Sequence, residues 1–500
     1  MMQNEHQGAN KMKSIVSPTT MAYLDKVAID GGVSSKELMF RAANSISKHL
    51  NKYKDILIAT GPGNNGGDGF ALASLLYKQG KNVSIFLVSE PKSEDAIYYY
   101  EKLKKDGFDN FVETIKDSYD AVVDCIFGNG LDRVLSSKHQ NIINVLNKCN
   151  AYKIAVDIPT GISGLNGVVM GNAFIADKTI VIAAYKFGHF LQDAKDYVGK
   201  MFVEDIGIPI TQEDALLIEE SDVKEIFPFR KQNANKYSFG RACVIGGSSK
   251  YKGAPVLSML STAALRVGAG LSYIAYPKSI ENTILTHVVD EIYMPIEDNN
   301  GLIIFDKKAL DKIMATSDVI AFGMGIGRSE EIEKTLKYIL ENFEKTVIVD
   351  ADGITAFTAI YQDIKILSKV ILTPHLGEAV RLFLEEKDTI LANRVNITTS
   401  FAKRNNVIVL LKGPTTIVSN GNETFFINKG SVALAKAGTG DVLSGVIAGI
   451  EAYNKDPISS AYAASYVTGL AATKAEKEYG QYGVLASDLP KIIKELQDKD

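Results

Sequence analysis

Residues 61–69, GPGNNGGDG, follow the apolar run DILIAT (55–60) and keep one acid, Asp68, among five glycines and two asparagines. Gly61, Gly63 and Gly66 satisfy G-x-G-x-x-G, a spacing that lets a backbone approach a pyrophosphate at a helix N-terminus. Glu90 stands near the place where a dinucleotide site wants an acid, and no Lys-Ser/Thr pair follows to make a Walker A loop. Asp68 fits this chemistry poorly, because a carboxylate in the first helical turn repels a phosphate docked there. A cation among Asp68 and the asparagine oxygens relieves the conflict, as does a contact from the acid to a ligand's sugar or amide. The competing explanation is a tight strand-to-helix turn in which Asp68 only complements the helix dipole. Two later stretches, VVDCIFGNGLDR (122–133) and AVDIPTGISG (155–164), each carry an Asp at an expected strand end before a Gly-rich turn. Ligands of parallel sheets bind outside the carboxyl ends of the strands, so Asp68, Asp124, Asp157 and Thr160 are expected around one crevice.

The second half carries LAKAGTGDVLSGVIAG (434–449). Gly438, Thr439, Gly440 and Asp441 are expected to open an apolar helix, where free amides form an anion hole. An acid just inside such a hole needs a task. In phosphoryl transfer it would accept the proton of an acceptor hydroxyl while the amides hold developing charge; the bland alternative is again a dipole partner. Upstream, LLKGPTTIV (410–418) places Lys412 and a Gly-Pro turn after a strand, suited to a nucleotide's ribose and phosphates. His375 in TPHLGE lies at another strand end, equally open to a structural role, and SKYKGAP (249–255) is a candidate substrate loop.

The elements that must hold these residues alternate. Short β-branched runs at 55–60, 82–88, 119–127, 152–159 and 177–184 read as strands, with helical lengths such as 69–80 between them. After an acidic stretch (211–227) the rhythm restarts with strands within 241–247, 271–277, 318–327, 346–353, 369–378 and 406–413. Continuous apolar strands separated by helices imply parallel sheets covered on both faces. The expected organisation is a leader at 1–14 without order, an α/β domain at 15–215 and a different α/β domain at 216–500. Formal net charge is −4, which argues against a general nucleic-acid binder. Cys125, Cys149 and Cys243 lie far apart with no CxxC pair, which excludes a disulfide framework and fits a reducing cytosol. No apolar run reaches the roughly 18 residues of a membrane span, so a cytoplasmic protein is expected, as a homo-oligomer without nucleic-acid or membrane partners.

NNGGDG, DCIFGNGL and DIPTGISG, with LMFRAA (38–43), ADKTIVIAAYKFGH (176–189) and VEDIGIP (203–209), resemble the epimerase domain of the NAD(P)H-hydrate repair enzymes over about residues 15–220. The resemblance implies a Rossmann-like three-layer fold that interconverts the R and S epimers of hydrated NADH and NADPH (NADHX and NADPHX), which carry a hydroxyl at C6 of the nicotinamide ring. It assigns the nucleotide to Asn64, Asn65, Gly66, Gly67 and Asp68 and to Gly128, Asn129, Gly130, Leu131, Asp132, Arg133 and Val134. It assigns a potassium ion to Asn65, Asp124 and Thr160, and the reacting ring to Asp157. The glycines would then let the backbone reach a phosphate. Thr160 stands where the family more often has Ser.

GTGD at a helix start, with KYKGAPVLS, GMGIG, DADGI, LTPHLGE and LKGPTTIV, is similar to the NAD(P)H-hydrate dehydratase branch of the ribokinase-like superfamily over about 226–500. This implies a second three-layer α/β/α domain that phosphorylates the C6 hydroxyl from ADP with Mg2+ and then expels phosphate to restore NAD(P)H. Ala254, Gly325, His375 and Asp441 would face the hydrate. Lys412, Gly413, Pro414, Thr415, Thr416 and Gly440 would face the adenine nucleotide. Met324, Ala433 and Ala437 depart from the family's usual Pro, Gly and Gly. The superfamily motif alone also allows a kinase of a small alcohol with a non-catalytic N-terminal nucleotide-binding module.

Overall fold

The computed structural model describes residues 12–227, 230–259 and 263–495. Two compact units emerge, Lys13–Leu216 and a second that runs from Leu217. Of the expected leader, residues 1–11 lie outside the described residues. Lys13 and Ser14 do not belong to a leader without order, because they open a strand, β1 (Lys13–Val16), whose Ile15 and Val16 are fully buried.

In the first unit α1 (Pro18–Asp30) and α2 (Ser35–Lys48) precede β2 (Asp55–Thr60), α3 (Asn64–Lys78), β3 (Asn82–Leu87), α4 (Glu94–Lys105), β4 (Phe111–Val112), β5 (Ser118–Cys125), α5 (Ser137–Lys148), β6 (Asn150–Val156), β7 (Lys178–Ile182), β8 (Tyr185–Lys186) and β9 (Lys200–Glu204). Seven of these strands form one sheet in the order β4-β3-β2-β5-β6-β7-β9, with every pair parallel. Strand alternation splits the core in two. Ala121, Val123 and Cys125 pack with Met39, Phe70 and Leu103, whereas Val122 packs with Ile143 and Leu146 of α5. The sheet is therefore covered on both faces, as its uninterrupted apolar strands require. Asp124 shares the α5 face with Val122 by the two-residue period.

In the second unit the sheet comprises β10 (Arg241–Ile245), β11 (Leu271–Pro277), β12 (Ile292–Ile296), β13 (Val319–Phe322), β14 (Thr346–Val349), β15 (Lys369–Leu372), β16 (Ile408–Leu411), β17 (Thr416–Ser419) and β18 (Thr424–Ile427). Their order is β12-β11-β10-β13-β14-β15-β16-β17-β18. Pairing is parallel from β12 to β16 and antiparallel over the last two joins. The helices that matter for chemistry are α6 (Gly253–Met259), α7 (Asp352–Ile360), α8 (Leu376–Phe383), α9 (Arg394–Asn405), α10 (Thr439–Asn454) and α11 (Pro457–Gly483). In each sheet the order reverses at one place: β2 lies between β3 and β5, and β10 lies between β11 and β13. A crevice opens at such a reversal, so the loops after β2, β5, β10 and β13 are where a ligand finds room. Among the described residues no helix is long and apolar enough to cross a membrane.

One expected element starts elsewhere. The helix anticipated over 69–80 begins at Asn64, inside the glycine-rich motif, with Gly63 as its N-cap. Asp68 consequently sits in the second turn and cannot be a first-turn dipole partner. Glycine weakens a helix by about 1 kcal/mol each relative to alanine, so propensity points to a loop here; tertiary packing overrides it.

Candidate active sites

At the first unit's switch point most of the motif's glycines serve packing. A Cβ at Gly61 would overlap the Ile126 carbonyl oxygen, and one at Gly66 would overlap that of Gly61. At Gly69 it would meet Cys125 Cβ and Thr60 Cγ2 at 2.9 Å. Only Gly63 has open space around its missing side chain. The expectation that these glycines exist to let the backbone reach a phosphate is therefore left to Gly63 alone; Gly61, Gly66 and Gly69 let α3 settle onto β2 and the loop after β5, and Gly67 lets it meet Met39 of α2 and Ala96 of α4.

Asp124 is fully buried and accepts three hydrogen bonds. Its Oδ1 accepts from Ile126 N at 3.1 Å and from Thr160 Oγ1 at 2.7 Å, and its Oδ2 accepts from Thr160 N at 2.7 Å. Thr160 Oγ1 accepts from Phe127 N at 2.9 Å, tying the two strand ends together. Burial still pushes the Asp124 carboxyl up to about 6, against the pull of those donors. Asn65 packs on Gly128, its Cγ at 3.4 Å from a Cβ built there. Its Nδ2 and the Oδ1 of Asn129 are buried without partners. Gly130, Asp132, Arg133 and Val134 are exposed, and Leu131 is half-buried beside them.

Asp157 belongs to a second group of side chains in the same unit. Its backbone is left-handed (φ 65°), an uncommon state for a residue with a side chain. Its Oδ1 accepts from Lys186 Nζ and from Ile182 N at 3.3 Å. Lys186 is 1 % exposed and also donates to the Ile182 carbonyl at 2.8 Å. His189 Nδ1 accepts from Lys186 N at 2.9 Å, so the proton lies on Nε2, which donates to the Asp157 carbonyl at 2.7 Å. Burial holds that imidazole down to about 4, which keeps it neutral. Burial first, and the carboxylates of Asp157 and Asp25 after it, push Asp68 well above the usual range. Asp68, Asp157, Asp25, Lys186 and His189 thus share one electrostatic neighbourhood, while Asp124 and Thr160 form their own hydrogen-bonded pair. Sequence reasoning missed Asp25, Lys186 and His189 as site residues, although YKFGH directly after a strand end was a usable signal.

In the second unit, the loops after β10 and β13 meet. A Cβ at Gly325 (φ 64°) would lie 2.7 Å from Ala254 Cβ and 2.8 Å from Tyr251 Cβ, and Ser248 Oγ donates to the Gly325 carbonyl at 2.8 Å. Ala254 and Gly325 are therefore neighbours. Met324, Ala433 and Ala437 all lie outside the left-handed region, so none of these departures puts a side chain on a backbone that calls for glycine; Gly323, Gly325, Gly327 and Gly438, which have positive φ, are glycines.

Helix α10 begins at Thr439 with Gly438 (φ 91°) as an N-cap that has no capping side chain. Asp441 stands in its first turn and accepts no hydrogen bond from the protein among the described residues. Burial pushes its carboxyl up to about 7; Asp350 and Glu378 add to this and Lys412 opposes it. Lys412 Nζ donates to Asp350 Oδ1 at 2.9 Å and lies 3.9 Å from Glu378 Oε2. The other Asp350 oxygen accepts from Ser444 Oγ on α10 at 2.7 Å. Gly440 has Lys412 Nζ 3.2 Å from where its Cβ would stand. His375 caps α8: its N donates to Glu378 Oε2 at 2.8 Å, and its Nδ1 accepts from Glu378 N at 3.2 Å. Its ring stays mostly exposed, so a capping role and a ligand contact coexist. Thr415 Oγ1 donates to Asn428 Oδ1 at 3.2 Å, and Pro414 and Thr416 complete the turn between β16 and β17. Asp350, Glu378 and Ser444 were not singled out from sequence. Asp350 ends TVIVD before a turn, the pattern that marked Asp124 and Asp157.

Residues 242–495 match the family model described as NAD(P)H-hydrate dehydratase, and residues 35–188 match that of the YjeF-related protein N-terminus. A bifunctional NAD(P)H-hydrate repair enzyme of Dictyoglomus turgidum is 33 % identical over 96 % of this chain and 98 % of its own. Another, from Archaeoglobus fulgidus, is 32 % identical over 96 % and 98 %. A ribokinase-like superfamily protein of Enterococcus faecalis superposes with a TM-score of 0.51 at 24 % identity, over 58 % of this chain and 97 % of that one, which places the second unit in the same fold. The chain belongs to the family of bifunctional NAD(P)H-hydrate repair enzymes.

Proposed function

We propose that this chain epimerises R- and S-NADHX and NADPHX within 15–215 and dehydrates the S epimers at the expense of ADP within 216–500. The observation that carries the second activity is Asp441, a carboxyl with free lone pairs beside the open amides of a helix start. There the C6 hydroxyl of the hydrate gives its proton to Asp441 as its oxygen attacks the β-phosphorus of ADP and AMP departs. Loss of phosphate from C6 and of a proton from C5 then restores the ring double bond. Lys412, held by Asp350, would neutralise the phosphates, and the amides of Thr439 to Asp441 would hold the charge that develops. Ala254, Gly325 and His375 would bound the hydrate's side of the crevice, with Gly413 to Thr416 and Gly440 on the nucleotide's side. Mg2+ would arrive with the nucleotide: no group of three or more His, Cys, Asp or Glu that could hold a metal occurs among the described residues, and magnesium is commonly carried by phosphates and water.

For epimerisation, Asp157 on Lys186 would face the reacting ring. Asn64, Asn65 and Asp68, with the 128–134 loop, would hold the dinucleotide. Asn65, Asp124 and Thr160 suit a potassium ion, a hard cation that takes oxygen ligands. Asp124 has no basic side chain within ion-pair distance among the described residues, and the orphaned Asn65 amide would offer a cation its oxygen if its two ends are exchanged. A bound cation would supply local positive charge there. Three free, buried cysteines fit a cytoplasmic enzyme. The test is to follow NAD(P)H absorbance while the protein meets mixed hydrate epimers. With ADP, both epimers should be consumed, and without it neither should give NAD(P)H. Recovery that stops when only the S epimer is spent would remove the epimerase, and no recovery at all would remove the dehydratase.

A further inference from the structure

Arg394 opens α9 and is 5 % exposed. Its Nη2 reaches the carbonyl oxygens of Lys412 and Thr415, each at 3.4 Å. Its Nε is buried without an acceptor, and no Asp or Glu pairs with it among the described residues. Burial holds the guanidinium down to about 10. Gly413 lies directly on this group, since a Cβ there would overlap Nη2.

A nearly buried charge held only by carbonyl dipoles raises the energy of the folded chain unless a counter-charge arrives. Lys412 already has Asp350 and Glu378 beside it. Arg394 is thus the cation under this turn that no acid matches. The planar trans peptide adds a second consequence: drawing the Lys412 carbonyl toward Arg394 leaves the Gly413 N–H pointing to the opposite side.

We propose that Arg394 is a positioning residue for the nucleotide, a fixed positive charge behind the 412–416 turn that turns its carbonyls inward and offsets the phosphate charge of a nucleoside diphosphate bound on the outer side. This rests on the reading of that turn as the nucleotide site. Arg394 acts through the turn and touches no ligand.

The test uses the full-length chain, equilibrium dialysis with radiolabelled ADP and Mg2+, and thermal unfolding without ligand. Arg394→Met should raise the Kd for ADP at least roughly tenfold, while the unfolding midpoint without ligand stays level or rises, because an unmatched buried charge has gone. Arg394→Lys, which keeps the charge, should bind within a few-fold of the parent chain. Unchanged ADP binding by Arg394→Met overturns the proposal. So does a lower ligand-free midpoint in that variant, which would make the guanidinium a structural brace, or a lysine variant as weak as the methionine one. A parent chain that binds no ADP overturns the site reading and this inference together, so the two failures are distinguishable.

Discussion

Asp124 in the first unit and Asp441 in the second are both carboxyls raised by burial, to about 6 and about 7. Their surroundings make them chemically unlike. Asp124 accepts three hydrogen bonds from its own chain, so most of its lone pairs are committed to joining two strand ends and one on Oδ2 remains for a cation. Asp441 accepts none from the protein among the described residues and sits over open amides. A perturbed carboxyl is therefore not by itself a base. What separates a structural or cation-holding acid from a proton acceptor is whether a lone pair remains for the ligand. Asp157 is intermediate: one oxygen is committed to Lys186 and Ile182, from a residue whose backbone is left-handed.

The comparison breaks most sharply at Asp441. Asp441→Asn keeps the shape and the helix amides but cannot take a proton, so NAD(P)H recovery should fall by about 10²–10⁴ with ADP binding retained. The check is absorbance recovery set beside ADP dialysis; recovery within a few-fold of the parent would show that another group is the base. Asp157→Asn should do the converse, slowing epimerisation by about 10² while S-hydrate is still dehydrated, as chromatography of the two epimers would reveal. Loss of both activities in either variant would dissolve the contrast between the sites.

The pH dependence sharpens it. With Asp441 raised to about 7, turnover at saturating hydrate should climb as pH rises through about 7. Glu378, also raised to about 7, titrates in that window, and Glu378→Gln should move the limb without abolishing it. For Asp124 the effect falls on stability. Its folded value near 6 exceeds the ordinary 3.8, so the folded state holds the proton more tightly. Its stabilising contribution is full below about 4 and is lost as pH rises through about 6. Relative to Asp124→Asn, the parent chain should lose stability across that interval, and potassium should return part of it; urea unfolding of both, with and without the ion, is the measurement. Asp124→Ala should cost about 2–3 kcal/mol by orphaning buried amides. The smallest effect belongs to Ser444→Ala, which removes the bond from α10 to Asp350 and should cost about 1 kcal/mol in the same assay.

By itself the sequence determined that strands alternate with helices, that sheets covered on both faces hold them, and that Asp124 and Asp157 stand at strand ends before Gly-rich turns. These follow from period, β-branching and turn residues within a few positions of one another. It also showed the start of α10, because GTGD before an apolar run is a local signal. The tertiary structure decided the rest. Lys186 meets Asp157 across 29 positions, Lys412 meets Asp350 across 62, and Ser444 meets Asp350 across 94. No local preference encodes such encounters, because strand order and crossover direction bring the donors to the acids. The start of α3 at Asn64 was equally hidden: its glycines contradict helix propensity, and only the close approach of Ile126 and Cys125 explains why side chains are missing there. Whether a given carboxyl keeps a free lone pair is settled last, by neighbours that folding alone delivers.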